Sequence, residues 1–389
     1  MEHEREFDLV LLGATGFTGQ LVARYLATAT TARPLRWAIA GRSRAKLASV
    51  HQQLEGVGVS PEIIEANTDN AQELESMASR TRVVLTTVGP YAKYGAGVVG
   101  ACVAQRTHYA DITGEPAFVQ QMLTQYDGPA REAGVRIVHC CGFDSVPHDL
   151  GVHWLAQLLA PLRFFEVEGF VRANGKLSGG TWQSALNAMS ELRHSKSSGG
   201  STRRPQPQGR TIRALASKPG YRKSLRAWVL PMPTIDPWIV LQSARTLSSY
   251  GPDVRYAHYI ALKRLPQVIG LVGGVAAVAA FAQAEVTKNW LASKIPSGDG
   301  PDQATRDRSW FECRYEGRTE ARSGYVLVKG GDPGYSETAK MVAESALCLA
   351  FDQADLPPFA GVLTPAVAMG DALRARLERA GMTFEAHVK

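Results

Sequence analysis

Short apolar runs alternate with amphipathic stretches of helical length over the first 140 residues. The runs "FDLVLL" (7–12), "WAIAG" (37–41), "EIIEA" (62–66), "VVLTTVG" (83–89), "HYADIT" (108–113) and "VRIVHC" (135–140) read as six strands. Continuous rather than alternating apolarity marks strands buried on both faces. Between them, the pattern predicts helices over 17–28 and 44–54, from near Asp69, and over 95–105 and 116–133. That rhythm is the signature of βαβ units, and it predicts an α/β fold with a doubly wound parallel sheet.

After "CGFDSVPHDLG" the rhythm changes. Residues 152–160 read as a helix, "FFEVEGFVRA" (164–173) as an antiparallel strand with one wet face, and "RYEGRTEARSGYVLVKG" (314–330) as a hairpin. From "SETAKMVAESALCLAF" to "DALRARLERAGM" the pattern is helical. At 389 residues, the chain exceeds what one core of ordinary size holds. The expected organisation is a Rossmann domain over 1–150, an α+β substrate domain over 151–330, and a helical segment over 331–389 that packs back on the first.

Charge modifies this picture in one place. The formal net charge is +7, yet no acidic residue lies between Glu191 and Asp236. That window holds Arg193, Lys196, Arg203, Arg204, Arg210, Arg213, Lys218, Arg222, Lys223 and Arg226. Basicity confined to one segment (193–226) points to a local acidic partner and away from nucleic acid. The part "SKSSGGSTRRPQPQGR" also has the composition of a solvated loop. A second segment, "QVIGLVGGVAAVAAFAQA" (267–284), carries no charge and is flanked by Lys263, Arg264, Lys288 and Lys294. It reads as a buried core helix, as a segment that associates with an anionic membrane surface, or, at the lower limit of length, as a span.

Five cysteines, two of them adjacent at Cys140 and Cys141, form neither a disulfide framework nor a metal-ligand spacing, so no metal is expected. The charged start "MEHEREFDL" lacks a secretory core. The expected location is the cytoplasm, in possible association with the inner face of the membrane.

The stretch Gly13-Ala14-Thr15-Gly16-Phe17-Thr18-Gly19 joins the first strand to the first helix. Glycines there permit a tight turn and close approach of backbone to a pyrophosphate, which the N–H groups of the helix start then face. At the end of the second strand an NAD site places a carboxylate to hold the ribose hydroxyls. This chain has Gly41-Arg42-Ser43 instead. A guanidinium suits a 2′-phosphate, so NADP(H) is the expected cofactor. Thr87, Val88, Gly89 and Pro90, at the end of the fourth strand, are expected beside the nicotinamide half. Tyr91 and Tyr94 follow as candidate proton donors or as ordinary half-buried tyrosines. The loop "HCCGFDSVPHDLG" gathers Cys141, Asp144, Ser145 and His148. Asp144 and Ser145 read as proton-handling or substrate-orienting groups, or as caps of the helix that follows.

These segments, with "YADITGE", resemble the saccharopine dehydrogenase-like oxidoreductases. The likeness continues through "SGGT" (178–181), "GDPGYSETAKMVAESAL" (331–347) and "GVLTPAVAMGDAL" (361–373) and is weakest over 190–300. The pattern is most similar to the trans-acting enoyl reductases of mycobacterial lipid synthesis. The resemblance implies reduction of a carbon–carbon double bond in a long acyl or polyketide chain on an acyl carrier or synthase, in a homo-oligomer. No catalytic residue carries over from motifs. Asn67, where relatives often have Asp, is expected near the adenine. Trp182, after "SGGT", is expected to narrow the substrate cavity. Two other readings stay open: a saccharopine-type imine reductase, with Arg172 and Arg193 as carboxylate clamps, and a non-catalytic nucleotide-binding protein of membranes or lipid droplets.

Overall fold

A computed structural model describes residues 5–31, 33–175, 206–232, 234–281 and 300–389. The chain divides into two compact units. The first comprises Met1–Val146 and Tyr335–Gly381, the second Pro147–Gly334 and Met382–Lys389.

The first unit opens with β1 (Phe7–Leu12), α1 (Phe17–Thr28), β2 (Trp37–Gly41), α2 (Arg44–Glu55), β3 (Glu62–Glu65) and α3 (Ala71–Ser79). It continues through β4 (Thr81–Thr86), α4 (Tyr91–Ala104), β5 (His108–Asp111), α5 (Pro116–Ala133) and β6 (Arg136–Val138). Every residue of β1 and β2 is buried, including Asp8 of β1, whose carboxylate pairs with Arg33. The N-terminus of α3 is set by Asn70, whose Oδ1 accepts from the Gln72 and Glu73 amides. α5 ends at Gly134, whose φ of 70° is the left-handed conformation that glycine adopts freely. α4 begins at Tyr91, earlier than the apolar pattern suggests, because Glu115 accepts hydrogen bonds from the Tyr91 and Ala92 amides (2.8 and 2.9 Å) and so caps it from a distant loop.

In the second unit, α6 (Val146–Leu159) leads into β7 (Phe164–Asn174). Then follow β8 (Thr211–Ala214), β9 (Gly220–Arg222), β10 (Ala227–Pro231), α7 (Asp236–Thr246), β11 (Asp253–Leu262) and α8 (Leu265–Phe281). A short α9 (Gln303–Asp307) precedes the hairpin of β12 (Trp310–Arg318) and β13 (Ser323–Gly330). The chain returns to the first unit with α10 (Ser336–Phe351), β14 (Gly361–Leu363) and α11 (Pro365–Arg379), and ends in β15 (Thr383–Val388).

The first sheet has the order β14-β6-β5-β4-β1-β2-β3, and each of its pairs is parallel. Strand order therefore reverses between β1 and β4, the switch point at which such sheets bind nucleotides. The second sheet has the order β15-β13-β12-β7-β11-β10-β9, with β8 parallel to β11.

Three readings of the pattern change. The last residues form a strand, not a helix: Thr383–Val388 pairs antiparallel with β13 in the second sheet. β7 is antiparallel to β12 but parallel to β11, so its alternation reports one wet face and not pairing direction. Of the basic segment 193–226, expected to be a loop, residues 211–214 and 220–222 form strands. There Arg210 donates to the carbonyls of Gly251 and Leu247, and Arg222 pairs with Glu168 at 2.6 Å. Residues 176–205, which include "SGGT", Trp182, Arg193, Lys196, Arg203 and Arg204, lie outside the described residues, as do 282–299.

Candidate functional site

The turn after β1 is built by contacts that leave no room for side chains. Gly13 has φ of 92°, and a Cβ on it would meet Val88 Cγ2 at 2.7 Å and Thr87 Oγ1 at 2.9 Å. Thr87 Oγ1 donates to the Gly13 carbonyl (3.2 Å), and the Thr87 amide donates to Leu12 (3.0 Å). The segments after β1 and β4 are thus locked side by side at the switch point. Gly16 occupies the N-cap of α1, and no side chain caps that helix. Its first amides point into the turn as an anion-binding helix start does. Ala14 is buried beneath the turn, Thr15 and Thr18 are half-buried, and the Phe17 ring meets Tyr335 edge-on at 5.0 Å between centroids.

At the end of β2, Gly41 is buried, Ser43 is half-buried as the N-cap of α2, and Arg42 is exposed. Sequence reasoning missed its neighbour. Lys93, in the first turn of α4, is exposed; it lies over the Tyr94 ring, and Asp69 and Arg42 are the charges in its surroundings. Two cations at one sheet edge suit a phosphate ester better than a ribose diol. Asn67 is half-buried and its Oδ1 accepts from the Asp69 amide (3.2 Å), which fixes the loop after β3. Val88 is half-buried while Gly89 and Pro90, joined by a cis peptide bond, are exposed. The cradle, the helix start and the cation pair together fit a dinucleotide bearing a 2′-phosphate.

Tyr91 is held by the backbone around it. Its side chain is buried, its hydroxyl donates to the Thr86 carbonyl (3.1 Å) and accepts from the Ile112 amide (3.4 Å), and its ring packs on Phe118. Burial pushes the phenol well above its ordinary pKa. Backbone groups thus engage the hydroxyl as both donor and acceptor, the arrangement of a buried packing tyrosine. Tyr94 is half-buried with Lys93 over its ring at 4.9 Å.

Beyond β5 and β6 the sequence hid a buried network. Asp111 Oδ2 accepts from the Tyr109 hydroxyl (2.8 Å) and meets His139 Nδ1 (2.7 Å), while Oδ1 accepts from the Thr113 and Cys140 amides (3.1 and 3.0 Å). The network holds Cys140 at φ of 61°, a left-handed backbone that costs a non-glycine residue about 1–2 kcal/mol. The loop 140–145 is thereby aimed. Asp144 is half-buried within it, beside Gly114, and desolvation raises its carboxyl above the usual range. Ser145 is buried, and its hydroxyl lies against the Cys140 thiol. The alternating partners in "YADITGE" and "VRIVHC" were the only sequence signal for this network. Asp111 is the buried last residue of β5, where an unpaired carboxylate is costly.

Of the loop residues grouped in the sequence, Cys141, Asp144 and Ser145 belong to the first unit and His148 to the second. His148 is buried in the first turn of α6, with Nδ1 2.6 Å from the Tyr315 hydroxyl. Arg172 pairs with Glu312 at 3.4 Å.

Comparison with known proteins agrees with this geometry. Residues 9–138 match the family described as the saccharopine dehydrogenase NADP binding domain. A protein of Mycobacterium tuberculosis named as a trans-acting enoyl reductase is 36% identical, covering 98% of this chain and 97% of its own. Trans-acting enoyl reductases of Mycobacterium ulcerans and Mycobacterium bovis are 32% and 33% identical, each covering 98% of both chains. Saccharopine dehydrogenase (L-Glu forming) from Saccharomyces cerevisiae shares the fold with a TM-score of 0.55 at 14% identity, over 98% of this chain and 99% of that one. The cofactor is NADP(H), and the protein is an oxidoreductase. The chain belongs to the trans-acting enoyl reductase family, within the saccharopine dehydrogenase-like oxidoreductases.

Proposed function

We propose that the protein uses NADPH to reduce a carbon–carbon double bond in a long acyl or polyketide chain presented by a separate synthase or acyl carrier. The observation that carries this reading is relationship along nearly the whole chain, second unit included, to proteins named as enoyl reductases. When bound, NADPH supplies the hydride for the β-carbon of the enoyl thioester. The chain's own residues do the rest. The Gly13–Gly19 turn and the α1 start hold the pyrophosphate. Arg42 and Lys93 hold the 2′-phosphate. Val88 and Phe143, both half-buried, offer apolar surface at the sheet edge. Asp144, whose carboxyl burial raises above the usual range, holds the proton for the α-carbon. Ser145 positions that loop.

The imine-reductase reading draws no support from Arg172, whose guanidinium Glu312 already engages. Arg193, the other cation of that reading, lies outside the described residues.

A peripheral contact with anionic membrane belongs to the same proposal. On α8, Leu265, Ile269, Leu271, Val272 and Val275 are exposed, with Lys263 and Arg264 just before them. Among the described residues, no helix is long and apolar enough to cross a membrane. An apolar helix face beside cations suits the surface of the bilayer instead.

The decisive assay follows NADPH oxidation with a long-chain enoyl thioester, free and carrier-bound, with the saturated product identified by mass spectrometry. Turnover confined to glutamate plus aminoadipate semialdehyde overturns the reading.

A further inference from the structure

The loop that carries Asp144 is held from two sides of the first unit. Asp111 fixes its start: Oδ1 accepts from the Cys140 amide, and the Asp111 carbonyl accepts from the Cys141 amide (2.7 Å). Within the loop, the Gly142 carbonyl accepts from the Ser145 and Val146 amides (3.2 and 3.0 Å) and closes a turn around Phe143 and Asp144. The second tie comes from α10. The Phe143 amide donates to Thr338 Oγ1 (3.2 Å), across 195 residues of chain.

That contact involves both branches of the threonine. A Cβ on Gly142 would stand 3.1 Å from Thr338 Cγ2 and 3.5 Å from Thr338 Oγ1, so the loop backbone lies flush on the side chain. Thr338 is buried. One χ1 angle sets the methyl and the hydroxyl together, so packing of the first fixes the direction of the second.

α10 is also fixed to the helix of the nucleotide turn. Tyr335, the N-cap of α10, meets the Phe17 ring at the start of α1 with centroids 5.0 Å apart. Farther along both helices, the Tyr25 hydroxyl donates to Glu344 Oε1 (2.7 Å), and Glu344 Oε2 pairs with Arg376 of α11 at 3.2 Å. α1 and α10 therefore run side by side in the same direction, with their starts together. One helix touches both the turn that receives the dinucleotide and the loop that carries the acid.

We propose that Thr338 is a positioning residue, which holds Asp144 in place relative to the nucleotide turn so that proton and hydride reach neighbouring carbons of one substrate. This rests on the reading of Asp144 as the proton donor. Reduction of the double bond adds a hydride at the β-carbon and a proton at the α-carbon, and leaves NADP+ and the Asp144 carboxylate. Both deliveries converge on atoms one bond apart. An error of about 1 Å in such placement costs on the order of 100-fold in rate. A hydrogen bond to the backbone amide next to Asp144 sets where the carboxyl stands without occupying it.

The test uses the full-length chain and compares Thr338→Val, which keeps the methyl and loses the acceptor, with Thr338→Ser, which keeps the acceptor. With a long-chain enoyl thioester, Thr338→Val is expected to lower kcat roughly 10–100-fold, with KM and NADPH affinity near wild type. Its kcat should also fall off at lower pH than in the wild type, because a loosened loop rehydrates the Asp144 carboxyl. Thr338→Ser should recover most of the turnover and the wild-type pH profile. Without substrate, hydrogen exchange over 140–146 should be faster in Thr338→Val, and exchange over 9–22 unchanged. Should Thr338→Val not fold, Gly142→Ala acts from the loop side. Its methyl pushes the loop off Thr338, kcat should fall, and Thr338→Ser in the same chain should restore part of it. Wild-type kcat and pH profile in Thr338→Val, or in Gly142→Ala where Thr338→Val does not fold, overturn the proposal. So does exchange over 140–146 as slow as in the wild type, or an equal loss in Thr338→Val and Thr338→Ser. A wild type inert toward enoyl thioesters, with faster exchange over 140–146 in Thr338→Val, overturns the reaction and leaves the tie between α10 and the loop standing.

Discussion

Gly19 faces the carbonyl of Gly13 so closely that a methyl group on Gly19 would overlap the carbonyl oxygen. The start of α1 therefore packs against its own approach turn with no intervening side chain. Gly19→Ala must push the helix away from the turn. It is expected to cost about 1–3 kcal/mol of stability in the first unit and to weaken NADPH binding. Thermal melts and a fluorescence titration check both. Wild-type values in both would show that the turn is not held by this contact.

Arg42 and Lys93 share one edge of the sheet. Arg42→Ala removes charge-assisted hydrogen bonds to a 2′-phosphate, so NADPH affinity should fall roughly 10–100-fold. Lys93→Ala should have a smaller effect in the same direction. NADH affinity should change little in either variant. A wild-type protein that binds NADH and NADPH equally well defeats the assignment.

Asp144 and Tyr91 separate catalysis from packing. Asp144→Asn should lower turnover while NADPH affinity stays near wild type. If the protonated carboxyl is the donor, kcat falls as pH rises through its raised pKa, and the variant loses that limb. Tyr91→Phe, by contrast, should lower the melting temperature and leave kcat nearly intact. The reverse pattern, with Tyr91→Phe inactive and stable, would restore the tyrosine as donor.

His108 provides a stability switch at acid pH. It is buried, Nδ1 accepts from the Arg136 amide (3.0 Å), and burial with the nearby Arg136 and Arg82 charges lowers its pKa to about 4. The unfolded chain, with an ordinary histidine pKa near 6.5, binds the proton first. Stability is therefore full above that value and declines as pH falls toward about 4, by roughly 3 kcal/mol in total. His108→Gln should flatten this part of the curve in chemical denaturation at several pH values. An unchanged slope would place the acid sensitivity elsewhere.

The exposed face of α8 makes a salt-dependent prediction. Binding to anionic vesicles at low salt should weaken steeply as salt is added, because Lys263 and Arg264 act through a screened field. Ile269→Asp with Val272→Asp should abolish binding without altering NADPH affinity. Wild-type protein that ignores anionic vesicles at low salt removes the membrane from the proposed function.

The six strands of the first sheet up to Val138 and the helices between them follow from apolar runs and helical periodicity, which are local properties. So does the nucleotide turn, because its glycines, its preceding strand and its following helix are contiguous. The absence of a carboxylate at Arg42 was also readable directly. β14 was not, since three apolar residues between two helices become a strand only by pairing with β6. Neither was β15, whose alternating pattern joins the second sheet through β13.

What the sequence by itself determined is the periodicity of the first unit and the chemistry of its phosphate-binding turn, because hydrophobic repeat and glycine spacing act over a few residues. Only the tertiary structure decided that Tyr91 is occupied by Thr86 and Ile112, that Lys93 joins Arg42, that Asp111 aims the loop bearing Asp144, and that Thr338 holds the Phe143 amide. Each of these depends on burial and on partners distant in the chain, and a side chain's hydrogen bonds and pKa are set by what surrounds it in space.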